Sequence, residues 1–298
     1  MNVLPDGIYA ATLTPFDADL LVDHGALVRH VRQLLEYGCD GVVCMGTTGE
    51  ANSLSTTERM AALDALVEAG VPPGRLMVGT GCCAYPDTLT LTRHAVASGV
   101  GGVLMLPPFY YKNVPDDGVF ATFDRVIQTI GADGLNVYLY HFPQMSAVPF
   151  TRNLTARLVE AYPGVVVGMK DSSGDFDHMT AIVEAFPGFR VFAGTERYLS
   201  AIVAAGGAGC ITATTNVTCP LAAMVYANPV APLQRRLSAI RAAIEKYPMI
   251  PALKFLMAEH TGQAAWRYVR PPHVGLPVDG ERELLSSVLP NLRTMWDV

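Results

Sequence analysis

Eight times along this chain a short apolar run is followed by a longer segment of helical periodicity, and that alternation limits the fold more than any other feature. The apolar runs fall at 8–13, 41–45, 75–79, 102–106, 136–140, 165–170, 190–193 and 210–214, and they read as strands. Helical patterns lie between them at 24–37, 56–69, 87–98, 118–130, 151–162, 177–185 and 197–205. Ser55-Thr56-Thr57-Glu58 offers a capping box, and Pro86-Asp87 suits a helix start. Eight strand–helix repeats predict an α/β fold, a (β/α)8 TIM barrel. The weak seventh run leaves a doubly wound open sheet as the alternative. Further helical patterns at 221–227, 232–247, 252–260 and 281–295 predict a closing helix and a C-terminal helical extension. The barrel is expected over 1–228 and the extension of the same domain over 229–298.

Half of the 298 residues are apolar, ample for a sizeable core. The net charge of −6 and the lack of any Lys/Arg run argue against nucleic-acid binding and against a polybasic membrane patch. No apolar stretch reaches membrane-spanning length. The six cysteines form neither a C-x-x-C pair nor a zinc-like spacing, and they read as reduced core residues. Met1 to Gly7 carries no basic n-region and no apolar h-region. Together these features predict a cytoplasmic protein.

Of the four lysines, Lys170 ends the run Val165-Val166-Val167-Gly168-Met169-Lys170. An ammonium at the end of a buried strand is costly to desolvate unless it is paired or neutral. A partly buried site lowers the lysine pKa and frees the amine to attack a carbonyl, which makes Lys170 a candidate Schiff-base nucleophile. The alternative is a lysine that reaches solvent or pairs with a carboxylate such as the adjacent Asp171.

In a (β/α)8 barrel, chemistry collects at the C-terminal ends of the strands. Those ends carry Gly46-Thr47-Thr48-Gly49-Glu50, Pro107-Pro108-Phe109-Tyr110-Tyr111-Lys112, Tyr140-His141-Phe142-Pro143 and Lys170-Asp171-Ser172-Ser173-Gly174. The first is no phosphate loop, because it lacks the Walker spacing and its lysine. Read singly, the threonines are caps, the tyrosines rim aromatics, His141 a structural histidine, Asp171 a turn cap and Cys82-Cys83 packing. Read together, they supply a lysine nucleophile, tyrosines able to shuttle protons, and hydroxyls and turn amides able to hold a carboxylate.

These segments, with Gly207-Ala208-Gly209 leading into Asn216, resemble the dihydrodipicolinate synthase/N-acetylneuraminate lyase superfamily of pyruvate-dependent class I aldolases, over the whole length of the chain. The resemblance implies that Lys170 forms the Schiff base with pyruvate or another 2-oxo acid and that Tyr140 is the general acid/base. It implies that Thr47 links Tyr140 to Tyr110 in a proton relay, with Tyr110 donated by a neighbouring subunit of a homotetramer, a dimer of dimers. Thr47 and Thr48 would hold the substrate carboxylate, and Gly194 and Ile211 would line the site. No metal or organic cofactor is implied.

Two departures narrow the substrate. Met145 stands where lysine-pathway synthases carry an arginine that grips the carboxylate of aspartate semialdehyde, and a thioether does not replace a guanidinium. Gly194-Thr195-Glu196-Arg197 keeps one acid where sialic-acid lyases bind sugar hydroxyls, and Ala213 replaces their serine. The expected reaction is cleavage, condensation or dehydration of another 2-oxo acid, a 2-keto-3-deoxy sugar acid or a 4-hydroxy-2-oxoglutarate-like compound. Gln144, Glu196 and Arg197 are the expected specificity residues, with Arg197 binding a distal carboxylate. The alternatives are dihydrodipicolinate synthesis, a metal-dependent enolate chemistry and a non-catalytic 2-oxo acid sensor.

Overall fold

The eight apolar runs form eight parallel strands that close on themselves, in the order β1-β2-β3-β4-β5-β6-β7-β8. The computed structural model describes residues 4–296. Residues 1–3, part of the N-terminal stretch read for a leader, and residues 297–298 of the expected extension lie outside the described residues. The strands are β1 (Gly7–Ala11), β2 (Gly41–Cys44), β3 (Leu76–Gly79), β4 (Gly102–Met105), β5 (Val137–His141), β6 (Val166–Asp171), β7 (Arg190–Ala193) and β8 (Gly209–Thr212). β8 pairs with β1 through Gly7↔Gly209 to Ala10↔Thr212, so no edge remains and the open-sheet alternative falls.

Around the barrel run α1 (His24–Glu36), α2 (Thr56–Glu68), α3 (Tyr85–Ala97), α4 (Asp116–Ile130), the single turn α5 (Pro143–Ser146), α6 (Arg152–Ala161), α7 (Phe176–Ala185), α8 (Leu199–Ala204) and α9 (Thr215–Ala227). The expected capping box is present: the Ser55 hydroxyl accepts from Glu58 N–H, and the Glu58 carboxylate accepts from Ser55 N–H. α10 (Ala231–Ile244), α11 (Met249–Thr261), α12 (Val278–Ser287) and α13 (Leu289–Trp296) form the C-terminal helical extension. The expected single helix at 281–295 is two helices with a break at Val288. Among the described residues, no helix is long and apolar enough to cross a membrane.

Side chains alternate along a strand between the barrel interior and the helical layer. The interior holds Tyr9, Val43, Met77, Leu104, Tyr138, Phe192 and Ile211. Tyr138 fits there because its ring lies over a glycine on each neighbouring strand. A Cβ on Gly102 would lie 2.6 Å from the Tyr138 ring, and one on Gly168 would lie 2.7 Å from it. Two residues further along, Tyr140 and Lys170 are cross-strand partners and share the next level of the interior, at the mouth. The packed floor of aromatic rings thus sets the height at which the lysine emerges.

Candidate active site

Lys170 is 5% exposed, yet among the described residues no carboxylate lies within ion-pair distance of it. Its Nζ donates to Tyr140 Oη at 3.4 Å and lies 4.5 Å from the centroid of the Tyr140 ring. Asp171 is not its counter-ion, because adjacent strand residues point to opposite faces. The Asp171 carboxylate faces the helical layer, accepts from Ser173 N–H at 2.8 Å and from Ser173 Oγ at 2.5 Å, and meets His178 Nδ1 at 2.6 Å. It caps the turn after β6.

Tyr140 is 4% exposed, and its hydroxyl lies 3.4 Å from Thr47 Oγ1 as well. The lysine, the tyrosine and the threonine therefore meet at one phenolic oxygen. The turn that carries Thr47 is held by Glu50, a left-handed residue at φ 56° whose Oε2 accepts from Arg270 N–H at 3.0 Å. The Glu50 Oε1 lies 2.5 Å from Lys254 Nζ on α11. Thr14 Oγ1 donates to the Gly49 carbonyl at 2.7 Å. Among the described residues, the backbone N–H groups of Thr47 and Thr48 donate to no protein acceptor, so both are available to a ligand.

These groups open onto a cavity of about 500 Å³ between the strand ends and the corner where α10 ends and α11 begins. Thr47, Thr48, Tyr140, Lys170 and Gly194 line its inner part. Gly194 is needed there: a Cβ at this position would come 2.3 Å from Ser172 Oγ. Arg197 lines the cavity too, but its guanidinium is already paired with Glu245.

Four expected site residues are not in this cavity. Glu196 is wholly buried, with Oε2 2.6 Å from Arg241 Nη1 and its other oxygen accepting from Thr214. Burial raises its pKa, but Arg241 and the threonine hydroxyls outweigh that and hold it below the usual carboxylate value. A carboxylate so committed offers nothing to sugar hydroxyls. Ile211 is fully buried in the barrel interior, one level below the mouth. Gln144 faces a separate hollow and donates to the Ser173 carbonyl. Tyr110 is 73% exposed and stacks edge-on against Tyr111, clear of the Lys170 cavity of its own chain.

The C-terminal extension supplies a wall that sequence patterning missed: Arg241, Glu245, Met249 and Ile250. The Lys254–Glu50 pair was missed as well, although a lysine inside the apolar segment Met249-Ile250-Pro251-Ala252-Leu253-Lys254-Phe255 was a visible signal.

His141, Asp171 and His178 cluster behind Lys170 in the helical layer. Their hydrogen bonds do not suit a metal. Phe150 N–H donates to His141 Nδ1 at 3.0 Å, so the neutral ring carries its proton on Nε2 and has no second lone pair to offer. Burial pushes His141 down to about 4, while the hydrogen bond to Asp171 raises His178.

A family model described as the dihydrodipicolinate synthetase family matches residues 4–289. A protein of Chloroflexus aurantiacus described as an uncharacterized DapA-like lyase is 38% identical over 84% of this chain and 85% of its own length. A 4-hydroxy-tetrahydrodipicolinate synthase of Methanopyrus kandleri is 30% identical over 74% of this chain and 73% of its own. The crystal structure of dihydrodipicolinate synthase from Agrobacterium tumefaciens superposes with a TM-score of 0.86 at 32% identity, covering 98% of both chains.

Proposed function

From the premise that this chain belongs to the dihydrodipicolinate synthetase family, we propose that it is a pyruvate-dependent class I lyase with Lys170 as its Schiff-base nucleophile. Family membership gives the class of enzyme. The observation that carries the residue assignment is a buried lysine without a carboxylate partner among the described residues, 3.4 Å from a buried tyrosine hydroxyl and open to a cavity.

In this reading the carboxylate of a 2-oxo acid accepts from the Thr47 and Thr48 hydroxyls and N–H groups. The free amine of Lys170 attacks C2. One proton of the attacking amine and the phenolic proton of Tyr140 pass to the former carbonyl oxygen, which leaves as water, and a protonated imine with Tyr140 as phenolate remains. With a 4-hydroxy-2-oxo acid bound, the phenolate then takes the proton of the C4 hydroxyl. The C3–C4 bond breaks, its electron pair enters the imine to give an enamine, and the aldehyde departs. Protonation at C3 and addition of water release pyruvate and the free lysine. Thr47 hydrogen-bonds Tyr140 throughout and holds the phenolic oxygen in place for these transfers. No step calls for a metal or an organic cofactor.

Dihydrodipicolinate synthesis, the activity named for several relatives, is the less favoured reading. Met145, exposed on the cavity wall, gives aspartate semialdehyde no cation, and both wall arginines are paired with glutamates. The specificity roles expected of Glu196 and Gln144 do not enter the proposal. We further propose that the exposed Tyr110 reaches the cavity of a second copy, within a cytoplasmic homotetramer. Sedimentation should give a tetramer, and Tyr110→Ala should lower turnover.

The direct test is a screen of 4-hydroxy-2-oxo acids for pyruvate release, coupled to lactate dehydrogenase, with the wild-type chain and Lys170→Ala. Pyruvate formed by the wild type alone supports the assignment. Equal rates in both would overturn it.

A further inference from the structure

The outer half of the cavity differs in chemistry from the inner half. Beyond Thr47, Thr48 and Lys170 the apolar lining side chains are Phe142, Met145, Tyr198, Met249 and Ile250, with Pro248 and Pro251 flanking the last two. Phe142 continues the aromatic surface of Tyr140, with ring centroids 5.7 Å apart and planes inclined by 27°. The Tyr198 hydroxyl is already used, donating to the Gly174 carbonyl at 3.1 Å. Met145 is 60% exposed, an apolar side chain at the rim that its own chain leaves uncovered.

The charged groups of this wall cancel one another. Arg241 Nε lies 2.6 Å from Glu245 Oε1, Arg241 Nη1 lies 2.6 Å from Glu196 Oε2, and Arg197 is paired with the other oxygen of Glu245. Two guanidinium groups thus face two carboxylates. A distal carboxylate on the substrate would meet guanidinium groups whose charge Glu245 and Glu196 already offset. The hydroxyls of Ser172 and Thr195 sit beside Gly194 at the strand ends, in the inner half. Apart from Tyr198, whose hydroxyl is already used, His273 is the only titratable side chain of the outer wall outside the ion-paired set among the described residues.

Burying apolar substrate surface against such a wall is favourable. Burying hydroxyls or a carboxylate there leaves them short of partners. The volume of about 500 Å³ falls within the range of pockets that take whole small molecules, well beyond a three-carbon acid.

We propose that the part of the substrate beyond C3 is an alkyl or aryl group, so that the aldehyde released or condensed is apolar rather than a sugar or a second acid. The proposal rests on Schiff-base formation at Lys170, and its test separates the two. The intact protein is treated with sodium borohydride and one of four acids: pyruvate, 2-oxo-4-phenylbutanoate, 2-oxoglutarate or 2-keto-3-deoxygluconate. In each case the imine takes hydride at C2 and becomes a stable secondary amine. The concentration giving half-maximal adduct on the Lys170 peptide is read by mass spectrometry, counting intact and cleaved acyl groups together.

The phenyl acid should reach half-trapping at a concentration about tenfold below that of pyruvate, the scale on which apolar pockets discriminate. The two polar acids should do no better than pyruvate. Met249→Gln and the exposed Met145→Gln should each shrink the phenyl-to-pyruvate preference by about threefold. A polar acid trapped more readily than the phenyl acid, four equal curves, or a preference unmoved by both variants would overturn the proposal while leaving Lys170 as nucleophile. No adduct with any acid, pyruvate included, would overturn the Schiff-base reading and this inference with it.

Discussion

Two lysines are buried near the mouth of this barrel, and they are buried in opposite ways. Lys254 is 1% exposed, lies 2.5 Å from the Glu50 carboxylate, donates to the Tyr268 carbonyl at 2.7 Å and sits 4.1 Å from the centre of the Phe16 ring. Burial pulls its pKa down to about 8, against the opposing pull of Glu50. Lys170 is 5% exposed and, among the described residues, has only the Tyr140 hydroxyl and ring. The first lysine has every donor turned toward protein and holds the Thr47–Glu50 turn against the C-terminal extension. The second has donors left over and faces a cavity. A buried cation with a carboxylate partner is architecture, whereas one without is costly and points to function.

The comparison can be broken most sharply at Lys170. Lys170→Ala should abolish both covalent trapping and turnover, whereas Lys254→Met should still form the adduct at saturating pyruvate. Loss of the adduct in the second variant, in folded protein, would mean that the two lysines are not separable. Next in size is Tyr140→Phe, which keeps the ring and removes the phenolic proton. Its kcat should fall by about 10²–10⁴, the range for a positioned acid or base. Near-normal turnover would remove Tyr140 from the chemistry.

The structural side of the comparison makes smaller predictions. Lys254→Met strands the Glu50 carboxylate and should cost about 3–5 kcal/mol in urea unfolding. Lys254→Met with Glu50→Gln should recover part of that loss, because the unpaired charge is gone. A cost below about 1 kcal/mol for the single variant would mean that water reaches Glu50, and the pair would lose its structural role.

His30 is another buried titratable group, with Nε2 2.8 Å from Asn216 Oδ1. Burial lowers its pKa to about 4. Its folded value lies below the ordinary one near 6.5, so the unfolded chain binds the proton first as pH falls. Stability is intact above about pH 6.5 and drains away toward pH 4, by on the order of 3 kcal/mol at the full shift. His30→Gln should flatten that part of the acid limb, and an unchanged limb would contradict the shift.

The strand ends were legible from sequence because a parallel barrel exposes its chemistry where each apolar run stops. Thr47, Thr48, Tyr140, Lys170 and Gly194 all line one cavity for that reason. Glu196 and Arg197 show where the pattern ran out. They are adjacent in sequence, yet one turns into a buried cage of threonines with Arg241 and the other reaches the surface ion pair with Glu245. Which way each side chain turns depended on α10, far along the chain, and local patterning carries no record of it. The apolar wall from Met249 and Ile250 was hidden likewise, since those residues fall between the helical patterns at 232–247 and 252–260. Ile211 was expected at the site, but it sits one level too deep in the barrel, a difference set by strand register.

The central claim is that Lys170, and not Lys254, is the nucleophile. The most direct measurement is borohydride reduction in the presence of pyruvate, followed by peptide mapping. A single reduced pyruvyl adduct on the Lys170 peptide, with Lys254 unmodified, is the predicted result. An adduct on Lys254, or none on either lysine in folded protein, would contradict the account.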